Sequence, residues 1–262
     1  MKNNLNEQTG TNFDKLVQLV EILRSEDGCD WDKAQTNDSL IPYFIEEVYE
    51  LIDSIDKKDS KNTKEELGDV MLHLVFQTQI SNEKGLYTIN DVLENINKKL
   101  VERHPHVFNQ ASHSTFAKVN WESQKHLEKK RKSRLDGVPQ SLPALTRAHR
   151  LQQKASHVGF DWDSLDKVWR KFYEEIDEVK TAYNLNNRIS MEEEIGDLLF
   201  SVVNLARHMK LDSEDMLRKA NKKFIKRFRA IEKDLTSRGK DISEATLDEM
   251  DSIWEKIKKE EN

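Results

Sequence analysis

The sequence predicts an all-α fold, arranged as a tandem repeat of two helical bundles. Three observations carry this. Glycine (8 of 262 residues) and proline (4) are too scarce for the many turns of a strand-rich fold. The apolar residues recur at helical spacing rather than in alternation. Short motifs recur in the same order in both halves of the chain.

The repeat can be read residue by residue. Phe44-Ile45-Glu46-Glu47-Val48-Tyr49-Glu50 matches Phe172-Tyr173-Glu174-Glu175-Ile176-Asp177-Glu178 at an offset of 128, and Glu65-Glu66-Leu67-Gly68-Asp69 matches Glu193-Glu194-Ile195-Gly196-Asp197 at the same offset. Three further pieces follow in order. Gly28-Cys29-Asp30-Trp31-Asp32 pairs with Gly159-Phe160-Asp161-Trp162-Asp163, Asn97-Lys98-Lys99-Leu100-Val101-Glu102-Arg103 with Asn221-Lys222-Lys223-Phe224-Ile225-Lys226-Arg227, and Trp121-Glu122-Ser123-Gln124-Lys125 with Trp254-Glu255-Lys256-Ile257-Lys258. One short match would be coincidence; five in order mean duplication. The seam holds Pro139 and Pro143 behind a basic run, Lys129 to Lys132, which reads as a solvated helix end or linker. The expected division is a first domain over 1–125, a linker over 126–149 and a second domain over 150–262.

Within each copy the periodicity predicts two helices. Phe44, Val48, Leu51, Ile52 and Ile55 share one face, as do Leu67, Val70, Met71, Leu74 and Val75 after a turn at Asp59 to Thr63. The second copy has Phe172, Ile176 and Val179, then Ile195, Leu198, Leu199, Val202 and Val203. Thr63 with Glu66, and Ser190 with Glu193, are candidate N-terminal capping pairs. Helices joined by so short a turn pack antiparallel. Glu47 and Glu50 then face Glu66 and Asp69, and Glu175 and Glu178 face Glu194 and Asp197. Gly68 and Gly196 sit inside helices at a cost of roughly 1 kcal/mol each against alanine, which suggests a close neighbour or ligand.

Four facing carboxylates suppress one another's ionisation, so the cluster takes up protons or a cation. All-oxygen ligands favour Mg²⁺, with Mn²⁺ as a substitute, and Mg²⁺ commonly joins carboxylates to substrate phosphates. Lys223 and Arg227, like Lys99 and Arg103, are cations one turn apart that suit a polyphosphate; Trp254 and Lys258 share the same spacing. Trp254 covers a nucleobase or packs in the core. One Glu-x-x-Glu is ordinarily a solvated face; the motif pair repeated with an identical gap argues for a site. A di-iron bundle would need Glu-x-x-His, and His73 has Ser201 as its counterpart, so iron is disfavoured.

Composition narrows the partners. Charged residues make up 34% and the net charge is −6, which gives no general drive towards nucleic acid or anionic membrane. The single cysteine, Cys29, cannot form an internal disulfide, the first residues are polar, and no run approaches the roughly 20 apolar residues of a membrane span. A soluble cytoplasmic protein is expected.

The ensemble of motifs resembles the all-α nucleoside triphosphate pyrophosphohydrolases, specifically the two-domain MazG family. It consists of Gly28 to Lys33 with Gln35-Thr36, Arg103-His104-Pro105-His106-Val107-Phe108, Ser141-Leu142-Pro143-Ala144-Leu145, Val158 to Trp162 and both acidic motifs. The resemblance implies Mg²⁺-dependent cleavage of ribo- and deoxynucleoside triphosphates of many bases to monophosphate and pyrophosphate. It also implies homodimers formed by helical packing and catalysis in the C-terminal copy. The implied metal ligands are Glu175, Glu178, Glu194 and Asp197, with Glu47, Glu50, Glu66 and Asp69 as the N-terminal counterpart. Implied nucleotide contacts are Lys171, Phe172, Tyr173, Glu174, Glu175, Ser190, Met191, Glu192, Glu193, Asp197, Lys223, Arg227 and Trp254, to which spacing adds Lys258. Where Ser190 stands the family often has lysine. Glu174 or Glu175 is the candidate to take a proton from water. The competing class is a non-catalytic metal- or nucleotide-binding scaffold or sensor. The sequence offers no reason for the N-terminal copy to be silent.

Overall fold

The computed structural model describes residues 7–108 and 132–261. The chain forms two compact units, 1–115 and 116–262. Trp121, Lys125 and the basic residues 129–131 lie outside the described residues.

The first unit contains α1 (Glu7–Arg24), α2 (Asp30–Ala34), α3 (Ile41–Asp56), α4 (Ser60–Glu83), α5 (Ile89–Arg103) and the short α6 (Pro105–Phe108). The second contains α7 (Ala144–Ser156), α8 (Leu165–Asn184), α9 (Arg188–His208), α10 (Ser213–Ser237), a 3₁₀ turn (Ile242–Glu244) and α11 (Leu247–Glu261). No strand occurs among the described residues.

In both units the centre is the expected antiparallel pair, α3 with α4 and α8 with α9. The connections differ in detail from the sequence expectation. Each is a three-residue turn whose middle residue takes the left-handed conformation, Lys58 at φ 55° and Asn186 at φ 49°. The next residue caps the following helix: the Asp59 carboxylate accepts from the Lys61 and Asn62 amides, and the Asn187 side chain from the Ser190 amide. Thr63 and Ser190 are therefore inside the helices, not caps, and Thr63 Oγ1 donates back to the Asp59 carbonyl at 2.8 Å. The better acceptor, three or four residues earlier, wins the helix start.

The linker expectation is also corrected at its end. Residues 144–149 are the first turns of α7, whose start is fixed by Pro143; its carbonyl accepts the Arg147 amide at 2.8 Å. Packed on α9 and α10, α7 belongs to the second unit.

The first unit's core gathers Val20, Leu40, Val75, Phe76 and Ile80. In the second, Val168, Ala182 and Val203 are buried along α8 and α9, while Ile231, Leu235 and Ile253 join α10 to α11. Three of the five residues in each predicted stripe on the second helix of the pair stay out of these cores. Leu67, Met71 and Leu74 on α4 are exposed, and so are Ile195, Leu199 and Val202, their counterparts on α9. The apolar face is wider than one neighbouring helix can cover. For Gly68 and Gly196 the close-neighbour half of the expectation is corrected: a Cβ on either would meet no protein atom within 4 Å among the described residues.

Candidate metal and nucleotide site

The i, i+3 spacing on two facing helices brings the acids together as expected, but in threes. Ligand oxygens of Glu175, Glu194 and Asp197 all lie within 4.8 Å of one another, and so do those of Glu47, Glu66 and Asp69. Glu178 and Glu50, one turn further along, stand outside these triplets.

The two triplets differ in setting. Glu175 is buried, at 5% exposure, whereas Glu47 is half-buried. Lys171, one turn before Glu175, places its Nζ 2.7 Å from Glu174, 2.8 Å from Glu175 Oε1 and 4.0 Å from Glu178. The hydrogen bonds that it donates to Glu174 and then to Glu175 push the Lys171 ammonium well above its ordinary pKa, so it is a fixed positive charge. Glu175 Oε2 is buried with no hydrogen-bond partner among the described residues. Glu178 is pushed above the usual carboxylate range by desolvation, with Glu175 and Glu194 adding to it against the pull of Lys171. In the first unit desolvation leads again. It raises Glu47, with Asp69, Glu50 and Glu66 adding repulsion, and it raises Glu66, beside Glu50 and Asp69. Residue 43, the counterpart of Lys171, is a tyrosine.

An orphaned buried carboxylate oxygen among three converging acids is what a hard divalent cation would satisfy. The donor set is all oxygen, which fits Mg²⁺ or Mn²⁺ and not a softer metal. His73, four residues after Asp69, is pulled below its ordinary pKa by burial.

Glu175 and Asp197 of the second triplet open into a cavity of 750 Å³. Lys171, Glu175 and Asp197 line its charged part; Gln152 of α7, Phe160 and Trp162 of the 157–163 loop, and Phe200 and Asn204 of α9 line the rest. The loop is pinned to α9 by Asp161, which accepts from Arg207 Nη1 at 2.9 Å and lies 2.9 Å from His208 Nε2. Arg207 Nη2 also reaches Asp161, and it donates to Asn204 Oδ1 at 2.7 Å. Sequence reasoning found Asp161 through its repeat, but Gln152, Asn204 and Arg207 carry no periodic or motif signal and were missed.

The remaining expected nucleotide contacts are placed as follows. Phe172 and Tyr173 form an aromatic group with Trp169. Ser190, Met191, Glu192 and Glu193 make the first turn of α9, with Glu192 paired to Arg188. Lys223 and Arg227 are on α10, Trp254 and Lys258 on α11. Arg227 lies over the Trp254 ring at 5.3 Å and pairs with Glu261 at 2.8 Å; Lys258 pairs with Glu255. Trp254 itself packs on the Ile231, Leu235 and Ile253 cluster. Its core role, left open by the sequence, is thus observed, and none of these four residues is among those lining the cavity.

A profile of the MazG nucleotide pyrophosphohydrolase domain matches this chain twice, over residues 35–108 and 164–231, each match spanning one helix pair and its acids. The chain belongs to the MazG family. It is 45% identical to the nucleoside triphosphate pyrophosphohydrolase/pyrophosphatase MazG of Thermotoga maritima, across 96% of this chain and 97% of that protein. It is 42% identical to the nucleoside triphosphate pyrophosphohydrolase of Escherichia coli K12, across 95% and 98%. The Mycobacterium tuberculosis protein of the same name is 35% identical over 58% of this chain and 47% of its own length. The fold is therefore a tandem of two all-α MazG domains. No described helix is long and apolar enough to cross a membrane.

Proposed function

We propose that this MazG-family chain is a nucleoside triphosphate pyrophosphohydrolase. It takes ribo- and deoxynucleoside triphosphates of broad base range and releases monophosphate and pyrophosphate with Mg²⁺ (or Mn²⁺). The observation that carries the reading is Glu175: buried, half-satisfied by Lys171, and joined by Glu194 and Asp197. The names of relatives that match across nearly their whole length support the same reaction class.

Glu175, Glu194 and Asp197 would hold the cation, with Glu178 completing the set. Bound there, the cation supplies charge neutralisation for the phosphates and a more acidic water. The side chains do the rest. Lys171, fixed in its charged form, orients the Glu174 and Glu175 carboxylates and faces incoming phosphate. Glu174, at the exposed edge, accepts the proton of the attacking water. Lys223 and Arg227, which lie on α10 outside the cavity lining, are given to the departing pyrophosphate on the family resemblance alone.

A homodimer belongs to the same proposal. The exposed stripe Ile195, Leu199 and Val202, repeated as Leu67, Met71 and Leu74, is the surface a second copy would cover. Light scattering should give twice the 30.7 kDa chain mass, and Leu199→Asp with Met71→Asp should return the monomer.

The deciding experiment incubates the full chain with ATP, GTP, CTP, UTP and their deoxy forms plus Mg²⁺, and separates pyrophosphate from orthophosphate. Pyrophosphate with monophosphate is expected. Orthophosphate with diphosphate would overturn the bond assignment, and no turnover of any triphosphate would leave the scaffold reading standing. Glu175→Gln should abolish release, whereas Glu47→Gln should leave it.

A further inference from the structure

One wall residue of the second unit's cavity comes from outside the helices. Leu135 lines it together with Leu151 and Ala155 of α7, and among the described residues it is the only one of the segment before α7 that does so. The helix begins at Ala144. At 1.5 Å per residue, Leu151 and Ala155 stand about 10 and 16 Å beyond that start. The chain from Leu135 to Ala144 is long enough to reach about 30 Å when extended. The segment that joins the two copies therefore doubles back along α7 and brings Leu135 to the cavity.

This segment has the build of a hinged arm. Residues 132–136 form a turn closed on itself. The Asp136 carboxylate accepts the Lys132 amide at 3.0 Å and the Ser133 amide at 2.9 Å, and Ser133 Oγ accepts the Leu135 amide at 3.2 Å. Gly137 follows at φ 82°, a left-handed conformation that glycine adopts without strain. Pro139 and Pro143, whose rings fix φ, stiffen the stretch from there to α7. Among the described residues the turn makes no hydrogen bond or ion pair to the rest of the unit. Leu135 supplies its contact with the cavity, and that side chain is still 44% exposed. A preformed turn on a glycine hinge, docked by one half-buried apolar side chain, opens at low cost. A ligand that fills the cavity gives Leu135 the apolar surface it lacks, which favours the closed position.

We infer that residues 132–138 are a lid of the second unit: hinged at Gly137, they carry Leu135 over the mouth of the cavity and close on a nucleotide bound there. The inference rests on the proposed nucleotide reading of the cavity. The hydrogen-bonded turn moves as one piece, and the hinge confines the backbone change to a residue with a wide range of φ. The seam between the copies, outside both stretches matched by the family profile, thereby becomes a working part of the second copy.

The test uses the full-length protein with AMP, GMP, CMP and UMP in Mg²⁺. Trypsin cuts after arginine, and the exposed Arg134 immediately precedes Leu135. Mass spectrometry follows cleavage of the 134–135 bond, with the Lys84–Gly85 bond in the exposed turn after α4 as internal control. A saturating monophosphate should slow the first cleavage by about fivefold or more and leave the second unchanged, because cleavage tracks the population of the open form. Leu135→Asp should weaken monophosphate binding in calorimetry about fivefold, the scale of burying half a leucine. Leu135→Met, which keeps the volume, should bind as the parent does. Asp136→Ala removes the shared acceptor of the turn and should abolish protection of the 134–135 bond, with circular dichroism and Mn²⁺ affinity unchanged. Equal cleavage of that bond with and without a bound monophosphate would overturn the lid, and so would unchanged affinity in the folded Leu135→Asp protein. A parent protein that binds none of the monophosphates in calorimetry would overturn the nucleotide reading, and the lid with it.

Discussion

Lys171 Nζ lies 2.8 Å from Glu175 Oε1, while Oε2 of the same carboxylate has no hydrogen-bond partner among the described residues. One side of a buried acid is thus neutralised by the chain itself, and the other faces Glu194 and Asp197 within ligand distance. That asymmetry separates the second acid triplet from the first, where residue 43 is a tyrosine and Glu47 is only half-buried.

Lys171→Met should therefore destabilise the metal-free protein. Leaving a buried charge unpaired costs roughly 3–5 kcal/mol, and the figure here should be nearer 2 because Lys171 is itself 38% exposed. Millimolar Mg²⁺ should restore more of the melting temperature in this variant than in the parent, since a cation replaces the missing charge. Equal Mg²⁺ responses in the two proteins would contradict the pairing.

Asp197→Ala should reduce pyrophosphate release by at least about a hundredfold, the scale of losing a charge-stabilising group in a catalytic site. Mn²⁺ affinity measured by calorimetry should fall with it, and the circular dichroism spectrum should not change. Glu178→Ala should also abolish release. Retained turnover in either variant would remove that residue from the site.

Acidification should loosen the loop that bears Phe160 and Trp162. Partial burial works to raise the Asp161 carboxyl, but hydrogen bonds from Arg207 and His208 outweigh it and hold the carboxyl below its ordinary range. A depressed carboxylate contributes stability that is complete above its unfolded value of about 3.9 and is lost as pH falls through the lower folded value. Asp161→Asn should lower the melting temperature at neutral pH and flatten its fall below about pH 4. Parallel melting curves for variant and parent across that range would show that the pairing contributes nothing.

Gly68→Ala should raise stability by about 0.5–1 kcal/mol in chemical denaturation, because the residue is helical and nothing stands within 4 Å of the added methyl. A loss of stability would mean that a neighbour occupies that space in solution.

The helical class, the duplication, the pairing of helices and the identity of the acids are all legible in the residues. These follow from local rules. A 3.6-residue period puts Glu194 and Asp197 on one face of α9, a three-residue turn brings that face to Glu175, and the repeated gap shows that both copies do it. Helix starts were misplaced by three or four residues because Asp59 and Asn187 compete with Thr63 and Ser190 for the cap, and only backbone geometry shows which side chain accepts.

The rest depends on packing. The tertiary structure showed that the acids converge as triplets with Glu178 outside, that Trp254 packs under Arg227, and that Gly68 and Gly196 meet open space. It also brought Gln152, Trp162 and Asn204, from three separate elements, around one cavity beside Glu175. Periodicity reports which face of one helix a residue occupies. It carries no information about which remote residue arrives at that face, because that depends on how α7, α8 and α9 pack together. The copies also differ in the positions around the carboxylates, where Ser201 and Asn204 line the cavity of the second unit while their counterparts His73 and Phe76 lie against Phe44 and in the hydrophobic core of the first.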